Sequence, residues 1–350
     1  MKKWKCVSSI LITGLVLPLM ASCSTDAQGE EQQDLTFTMG HMDPPHHIQG
    51  TEVMEPFDEK VGKLTNEKVN FQIYPGGALA GPDETYDNIE LGVMESGRGL
   101  QGYNAGKFPV SAVMEMPFLA QGSAEEMSIT FQQLYEEFPA IQEEYEGTKP
   151  LWLHTSDAYA IITKDEKVEN FEDVKGMKIR SPSVQTSNMI ESWGATSVSL
   201  PAPDIYDSMQ KGVIDGAIIP VTAIEDFNLY DVVDYVTIGD FNTALFYVTM
   251  NKESWNEIPN QDQKIIEQEL LGEPMASLAG QKFDELEQET EVEAKEQGIE
   301  FYELPEEEIN KFENASENVT QNWIEDMESQ GVEGQKIYNR AEELMTDNDK

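Results

Sequence analysis

Cysteine is nearly absent from this sequence, and both occurrences lie close to its start. The 350 residues contain 2 cysteines, Cys6 and Cys23. A disulfide-stabilised fold needs several cysteines spread along the chain. If the segment that carries Cys6 is removed as a signal, a single cysteine remains and no internal disulfide can form.

Basic residues are also scarce. The chain has 23 Lys and Arg against 66 Asp and Glu, a formal net charge of −43 at pH 7. Without Lys2, Lys3 and Lys5, which would leave with a signal, 20 basic residues remain and the charge is −46. Nucleic acids and anionic membrane surfaces bind basic faces, so this composition argues against both as partners. Acidity spread over most predicted helices indicates a solvated surface rather than a cationic substrate.

The motifs of several enzyme classes are missing. The sequence has no Gly-x-Ser-x-Gly, no His-Glu-x-x-His and no Gly-x-x-x-x-Gly-Lys-Ser/Thr. Pairs of Glu occur throughout a chain with 66 acidic residues, so no single pair indicates a glycosidase. We therefore expect a protein that is not an enzyme and that needs no cofactor. A secreted lipoprotein hydrolase with an unrecognised site stays open as an alternative.

Histidine is rare as well, but three of the four histidines lie in one short segment. His41, His46 and His47 occur together with Asp43. These residue types bind metals, so a metal-capturing lipoprotein that uses the His41–His47 loop is a second alternative. A zinc site needs three or four convergent ligands, and no distant His or Cys cluster supplies the rest. We therefore predict a loop after the first strand, without a metal.

Long hydrophobic runs are absent beyond the N-terminal segment. Three lysines precede an apolar run over residues 6–20, which is too short to span a bilayer. The run Met20-Ala21-Ser22-Cys23 then resembles a bacterial lipobox. We predict a lipoprotein signal peptide over residues 1–22, lipidation of Cys23, and a flexible polar tether over residues 23–33. The alternative is an ordinary secretory signal with an incidental cysteine.

The rest of the chain contains short strands and helices in regular succession. Val69–Tyr74 alternates as a strand does, and Tyr159–Thr163 is a second short strand. From Lys252 onwards the apolar residues recur with helical spacing among Glu, Gln and Lys, interrupted by one short strand at residues 300–302. This pattern predicts an α/β protein with long C-terminal helices.

The stretch from Lys175 to Pro220 is the most informative. Met177-Lys178-Ile179 is predicted as a short strand, and Arg180 stands at its end before a Ser-Pro break. In open α/β sheets, ligands bind at the carboxyl ends of strands. A guanidinium there is a permanently charged fork that matches a carboxylate. Arg98, by contrast, is predicted to pair with one of the many carboxylates of the protein.

Several short motifs follow one another in a fixed order. They are Tyr74-Pro75-Gly76-Gly77-Ala78-Leu79-Ala80-Gly81-Pro82-Asp83-Glu84, Met116-Pro117-Phe118-Leu119, Lys175-Gly176-Met177-Lys178-Ile179-Arg180, Gly194-Ala195, Pro201-Ala202-Pro203-Asp204-Ile205-Tyr206 and Gln210-Lys211-Gly212-Val213-Ile214-Asp215-Gly216. In this order they resemble the solute-binding subunits of TRAP transporters, the DctP-like family. The resemblance covers nearly all of the chain that follows the signal.

The resemblance implies a two-lobed, periplasmic-binding-protein-like α/β fold. A central cleft separates the lobes, hinge strands cross between them, and the chain ends in long helices. The first lobe is expected over residues 34–157 and 246–285. The second is expected over residues 158–245 and 286–345.

The resemblance also implies a binding site, with Arg180 matching the arginine that pairs with the solute carboxylate. The other expected ligand-binding residues are Gln101, Tyr103, Asp83, His46, Tyr159, Tyr206, Pro220 and Asn242. Two departures from the family bear on the solute. Ile219 stands where the family usually has Asn, which removes a side-chain donor. The run 156–159 lacks a second arginine that several members carry, which favours a ligand with fewer polar groups than the sugar acids.

The function that follows from the resemblance is that of an extracytoplasmic solute receptor, anchored to the cell membrane by lipid. We expect it to close over a small organic acid and to deliver that acid to the membrane subunits of a TRAP transporter. Metal capture and hydrolysis are the alternatives.

Overall fold

The computed structural model describes residues 34–119 and 121–348, and these residues fold into two mixed β-sheets flanked by helices. The predicted signal peptide, the tether and Cys23 lie outside the described residues. The strands are β1 (Leu35–His41), β2 (Val69–Tyr74), β3 (Ser96–Leu100), β4 (Thr148–Thr155), β5 (Tyr159–Thr163), β6 (Lys178–Ser181), β7 (Thr196–Ser199), β8 (Gly216–Pro220), β9 (Tyr235–Ile238), β10 (Leu245–Asn251) and β11 (Glu300–Glu303). The helices are α1 (Glu55–Thr65), α2 (Thr85–Glu90), α3 (Ala124–Glu137), α4 (Pro139–Glu143), α5 (Val184–Ser192), α6 (Ile205–Gln210), α7 (Ala223–Asp226), α8 (Lys252–Glu257), α9 (Asn260–Glu269), α10 (Glu273–Glu296), α11 (Glu306–Ser329) and α12 (Gly334–Asn348).

Each sheet is parallel except for one strand. The first sheet has the order β2-β1-β3-β10-β4, and β10 runs antiparallel to both of its neighbours. The second has the order β11-β9-β5-β8-β6-β7, and β5 runs antiparallel to both of its neighbours. In each sheet the antiparallel strand is the one that enters from the other sheet, since β5 follows β4 and β10 follows β9.

The two connections between the sheets lie side by side. The Tyr159 N–H donates to the Asn242 carbonyl at 2.7 Å, and the Phe241 N–H donates to the Tyr159 carbonyl at 3.2 Å. A further bond joins the Ser156 N–H to the Ala244 carbonyl at 3.3 Å. The backbone N–H and carbonyl groups of each connection are therefore hydrogen-bonded to the other connection, as buried polar groups require.

The long C-terminal helices hold both sheets together. Helix α10 packs against α3 and β4 beside the first sheet and also contacts α7 beside the second. The contact with α3 is close, because a Cβ at Gly280 would lie 2.4 Å from the Ala124 carbonyl oxygen. Asp284 of α10 accepts hydrogen bonds from the N–H groups of Ala124 and Glu125, at 2.6 and 3.1 Å, and so caps the start of α3.

Apolar side chains form a core on each sheet and a third core between the sheets. Trp152 and Phe57 belong to the core of the first sheet, and Ile162 and Ile219 to that of the second. The largest core joins elements of both sheets and includes Trp193 and Phe312, whose rings meet edge to face at 4.9 Å. None of the helices in the described part of the chain is long and apolar enough to cross a bilayer.

Most predicted elements are present with small shifts of their ends. The predicted strands at residues 69–74 and 159–163 have those bounds, and the strand predicted at residues 300–302 extends to residue 303. After β3, residues 101–103 form a short 3₁₀-helix. The strands of the first sheet come from the ranges predicted for the first lobe, except for the first residue of β10, Leu245, and those of the second sheet come from the ranges predicted for the second. Helix α12, predicted for the second lobe, packs against α3 of the first, so the boundaries themselves stay a prediction.

Candidate ligand-binding site

A cleft-like cavity lies where the carboxyl ends of parallel strands of both sheets meet, and its empty volume, including space open to solvent, is about 410 Å³. Its walls are mainly apolar or aromatic: Met42, Leu100, Tyr103, Tyr159, Ala202, Ile219, Pro220, Ala223, Phe227, Ala244, Phe246 and Phe283. The polar lining residues are Asp43, His47, Ser156, Arg180, Thr222 and Asp226.

Arg180 lines this cavity with its guanidinium held by neutral groups. Nε donates to the Leu200 carbonyl at 2.9 Å, and Nη1 donates to the Ile218 carbonyl at 3.2 Å. Nη2 donates to the Tyr103 hydroxyl at 2.9 Å. A guanidinium has five N–H groups, so one on each terminal nitrogen has no partner among the described residues. No carboxylate of the described chain forms an ion pair with Arg180, which is 1% exposed.

Tyr103 connects the two sheets at this point. It follows β3 of the first sheet, and its hydroxyl oxygen accepts from Arg180 and from the Ala202 N–H, at 2.9 and 2.8 Å. Because both acceptor positions are used, the phenol O–H is left to donate. The neighbouring Gly102 permits the close approach, since a Cβ there would lie 2.7 Å from the Pro182 carbonyl oxygen.

The other acidic and basic lining groups form a separate cluster. Arg98 donates from Nη1 to Asp43 Oδ2 at 2.5 Å and from Nε to His154 Nε2 at 3.2 Å, with its guanidinium carbon 3.9 Å above the Phe246 ring. His47 Nε2 lies 3.2 Å from Asp226 Oδ2. Burial is the largest single influence and raises the pKa of Asp43, but Arg98, His47 and His41 together outweigh it and hold the pKa of this carboxyl well below its usual value.

The same cluster bears on the metal alternative. His41 Nδ1 lies 3.3 Å from Asp43 Oδ2, so this carboxylate is shared between His41 and Arg98. His46 is exposed, whereas His41, Asp43 and His47 are buried. In residues 34–119 and 121–348, no group of three or more His, Cys, Asp or Glu is arranged to hold a metal ion. The geometry therefore gives the metal alternative no support.

Comparison with known proteins decides the family. Bacterial extracellular solute-binding proteins, family 7 (DctP), match this chain over residues 39–326. The chain belongs to this family. Family 7 proteins are extracytoplasmic receptors, and the TRAP solute-binding proteins among them work with membrane subunits of their transporters.

Solved structures of TRAP solute-binding proteins are similar over almost the full length. One from a marine metagenome, specific for aromatic acid ligands and bound to metahydroxyphenylacetate, is 27% identical with a TM-score of 0.86, covering 91% of this chain and 100% of its own. One from Rhodoferax ferrireducens with copurified benzoate is 26% identical with a TM-score of 0.85, covering 90% and 98%. An uncharacterized protein of Haemophilus influenzae is 28% identical over 264 residues, 73% of this chain and 76% of its own. The predicted family and the two-lobed α/β fold are confirmed.

The structure of this family 7 protein brings four of the predicted site residues together. Arg180, Tyr103, Tyr159 and Pro220 all line the cavity. Gln101 and Asn242 are buried outside its lining. Gln101 donates to the Tyr145 hydroxyl, and Asn242 donates to Thr186 Oγ1 at 3.0 Å and to the Glu115 carbonyl at 3.3 Å. Both side chains therefore bind partners within the protein, and neither lines the cavity.

Three predicted site residues lie away from the cavity. His46 sits on the exposed side of the turn after β1, and the next residue, His47, faces inward instead. Asp83 is exposed, and its carbonyl accepts from Asn104 Nδ2 at 3.0 Å. Tyr206 is half-buried and packs against the core of the second sheet. Adjacent residues in a turn can have side chains on opposite sides. A match to a family motif therefore does not show which of two neighbouring residues faces the cavity.

Most of the lining residues are not predicted from the sequence, and five of them bear on the chemistry of the site. Asp43 and His47 lie in the loop after β1, where the sequence indicates ligand types for a metal but not that these two side chains face the cavity. Asp226 and Phe227 end the short helix after β8, where nothing distinguishes one acid from its many neighbours. Phe283 comes from the middle of α10, and only the packing of that helix against the sheets places it at the cavity.

Proposed function

We propose that this chain is the receptor of a TRAP-type transporter for a small aromatic monocarboxylate, and that Arg180 binds the carboxylate. The observation that carries the proposal is a buried guanidinium with neutral partners only, in a cavity with mostly apolar walls. Burying a charge without a partner costs several kcal/mol, roughly, so the position favours an anion from outside the chain.

The two N–H groups of Arg180 that lack partners match the two oxygens of a carboxylate. The Tyr103 O–H supplies a third donor beside them. The rings of Tyr159, Phe246 and Phe283 supply flat apolar contact for the rest of the ligand. Sugar acids need several further polar partners, and Ile219 stands at a lining position where the family usually offers Asn.

The comparisons support the same class of ligand. The two similar structures that share 27% and 26% of their residues with this chain hold metahydroxyphenylacetate and benzoate. Both ligands are aromatic acids with one carboxylate. The ligand class proposed for this cavity is therefore the class that is bound in these two similar structures.

Ligand capture is proposed to occur by closure of two lobes, 34–157 with 246–285 and 158–245 with 286–345. Tyr103 belongs to the first and Arg180 to the second, so their 2.9 Å contact joins the lobes beside the ligand. A ligand that binds both sides stabilises the closed form by its differential affinity. The receptor then docks to the membrane subunits, and we propose that it has no catalytic activity.

A thermal-shift screen tests the ligand class. Benzoate, phenylacetate and mandelate are compared with glucuronate, malate and ectoine at equal concentration. Because a ligand that binds only the folded protein stabilises it by RT ln(1 + [L]/Kd), at least one aromatic monocarboxylate should raise Tm more than any sugar acid. A response to glucuronate or malate, with none to the aromatic acids, would contradict the proposal.

Lipidation of Cys23 is a separate part of the proposal. It rests on the Met20-Ala21-Ser22-Cys23 motif after the apolar run. Two acyl chains give stable membrane attachment where one would be marginal. Cys23→Ser should release the protein from the membrane fraction. Recovery of wild-type protein as soluble, unacylated chain by mass spectrometry would contradict it.

A further inference from the structure

The cavity contains a second polar pair that the carboxylate does not need. His47 follows β1 of the first sheet, and Asp226 ends α7 after β8 of the second. Both line the cavity, with His47 Nε2 3.2 Å from Asp226 Oδ2, and each side chain is 4% exposed. Neither shares a hydrogen-bond partner with Arg180. The pair is therefore a separate recognition element in the same cavity.

The hydrogen atoms of this pair can be assigned from its neighbours. The Gln49 N–H points to His47 Nδ1 at 3.2 Å, so Nδ1 accepts and the ring proton lies on Nε2. Nε2 is the atom that faces Asp226. The Nε2–H is therefore directed at Asp226, and the Asp226 carboxyl group, which also receives the Ile48 N–H, keeps hydrogen-bonding capacity for a ligand.

The surroundings shift both groups of the pair toward their uncharged forms. Burial lowers the pKa of His47 to about 3, although the nearby Asp43 opposes this. Burial and then the charge of Asp43 raise the pKa of Asp226 well above its usual value. The facing charged groups are Asp43, Arg98 and Glu225, with His41 as a further titratable neighbour, and Asp43 and Arg98 form an ion pair.

The wall around His47 is aromatic. Its ring meets Phe227 and Phe283 edge on, at centroid distances of 6.1 and 6.3 Å. A polar pair in such a wall gains from a ligand group that hydrogen-bonds to it. An ammonium group would need a charged carboxylate that burial disfavours. A hydroxyl group both donates and accepts, and it adds no charge.

Building on the proposed function, we propose that His47 and Asp226 together bind a hydroxyl group on the ring of the ligand. Hydroxy-substituted aromatic monocarboxylates are then the preferred ligands over their unsubstituted parents. Arg180 sets the requirement for a carboxylate, and the His47–Asp226 pair sets the choice among carboxylates.

Calorimetric titration with matched ligands tests this. Benzoate is compared with 2-, 3- and 4-hydroxybenzoate, and phenylacetate with 3-hydroxyphenylacetate. In wild-type protein, at least one hydroxylated ligand should bind about 10- to 100-fold more tightly than its parent, the gain expected from well-placed hydrogen bonds at about tenfold per 1.4 kcal/mol. Asp226→Leu should reduce that ratio to within about threefold while the parent acid still binds. Glu225→Gln, one position away and outside the cavity lining, should leave the ratio unchanged.

His47→Phe and Asp226→Ala provide further variants if Asp226→Leu does not fold. His47→Phe removes the ring N–H that faces Asp226 and so the group that orients this carboxyl, and it should also reduce the ratio. Equal binding of all hydroxylated ligands and their parents, or a ratio that survives in both His47→Phe and the Asp226 variant that folds, would overturn this inference and leave the proposed function intact. If no aromatic acid binds wild-type protein, the proposed function itself fails, and the two failures are thereby distinguished.

Discussion

The chain has three arginines, and two of them are buried to the same degree in opposite circumstances. Arg98 and Arg180 are each 1% exposed and each stands on a strand, β3 in the first sheet and β6 in the second. Arg98 pairs with Asp43 at 2.5 Å and lies over the Phe246 ring. Arg180 has two carbonyls and a phenol as its partners.

This difference in partners distinguishes an arginine that stabilises the fold from one that is proposed to bind a ligand. An arginine does not lose its proton in a protein, so its burial requires an anion. Within the described residues the fold supplies that anion to Arg98 and not to Arg180. Arg98 therefore belongs to the architecture of the first sheet, while the counterion that we propose for Arg180 is the ligand.

A buried carboxylate without a cation beside it can become neutral by protonation, whereas a buried arginine keeps its charge. Glu115 is buried in the short helical segment after β3, and burial raises its pKa to about 7, with a smaller opposing effect from Ser183. It can take up a proton and become neutral. Arg180 has no such route, so its uncompensated charge is the stronger sign of function.

Removing Arg98 should have the largest effect on stability. Arg98→Met leaves the Asp43 carboxylate buried without its partner, and breaking such a pair costs about 3–5 kcal/mol. We expect a large fall in Tm and in the denaturant midpoint. The double change Asp43→Asn with Arg98→Met should recover much of the loss, because no unpaired charge then remains.

Arg340 provides the control for that comparison. Its Nε and Nη2 lie 2.8 Å from the two oxygens of Glu137 on the surface. Exposed ion pairs contribute about 0–1 kcal/mol, so Arg340→Met should change Tm little. If Arg340→Met lowers Tm as much as Arg98→Met does, burial does not explain how much each ion pair contributes to stability.

Glu115 should produce a pH-dependent effect of intermediate size. Its unfolded pKa is near 4.5 and its folded pKa about 7, so between these values only the folded state holds the proton. Stability from this group is therefore highest at low pH and falls as pH rises from about 4.5 to 7. Glu115→Gln should be close to wild type near pH 4.5 and more stable by up to about 3 kcal/mol above pH 7, at 1.36 kcal/mol per unit. A stability difference that stays constant from pH 4.5 to 8 would show that the carboxyl is not protonated on folding.

Salt should have the smallest effect, and it should speed up ligand association rather than slow it. The net charge of −43 repels an anionic ligand at long range, whereas its final contact with buried Arg180 is screened little. Raising NaCl from low to physiological concentration should therefore increase the association rate constant severalfold in stopped-flow experiments. A rate that falls with salt would indicate net attraction of the ligand, contrary to this account.

Much of the fold and one key residue were accessible from the sequence. Arg180 was predictable because a strand end, a Pro break and flanking motifs coincide there. Asp226 and Phe283 were not, because their roles depend on how α7 and α10 pack across two sheets. The different roles of Arg98 and Arg180 could be predicted only in part. The chain has 66 acidic residues, and the sequence does not show which of their carboxylates lie close to each arginine.

The most direct test of the account is calorimetric titration of an aromatic monocarboxylate into wild-type, Arg180→Ala and Arg180→Lys proteins, with circular dichroism of each. Arg180→Ala should weaken binding by roughly two to four orders of magnitude, because the carboxylate loses a desolvated partner worth about 3–5 kcal/mol. Arg180→Lys should recover only part of the affinity, since a point charge cannot form two parallel hydrogen bonds. The ligand-free Arg180→Ala protein should be as stable as wild type or more so. Unchanged affinity in a folded Arg180→Ala protein would contradict the claim that Arg180 is the carboxylate receptor.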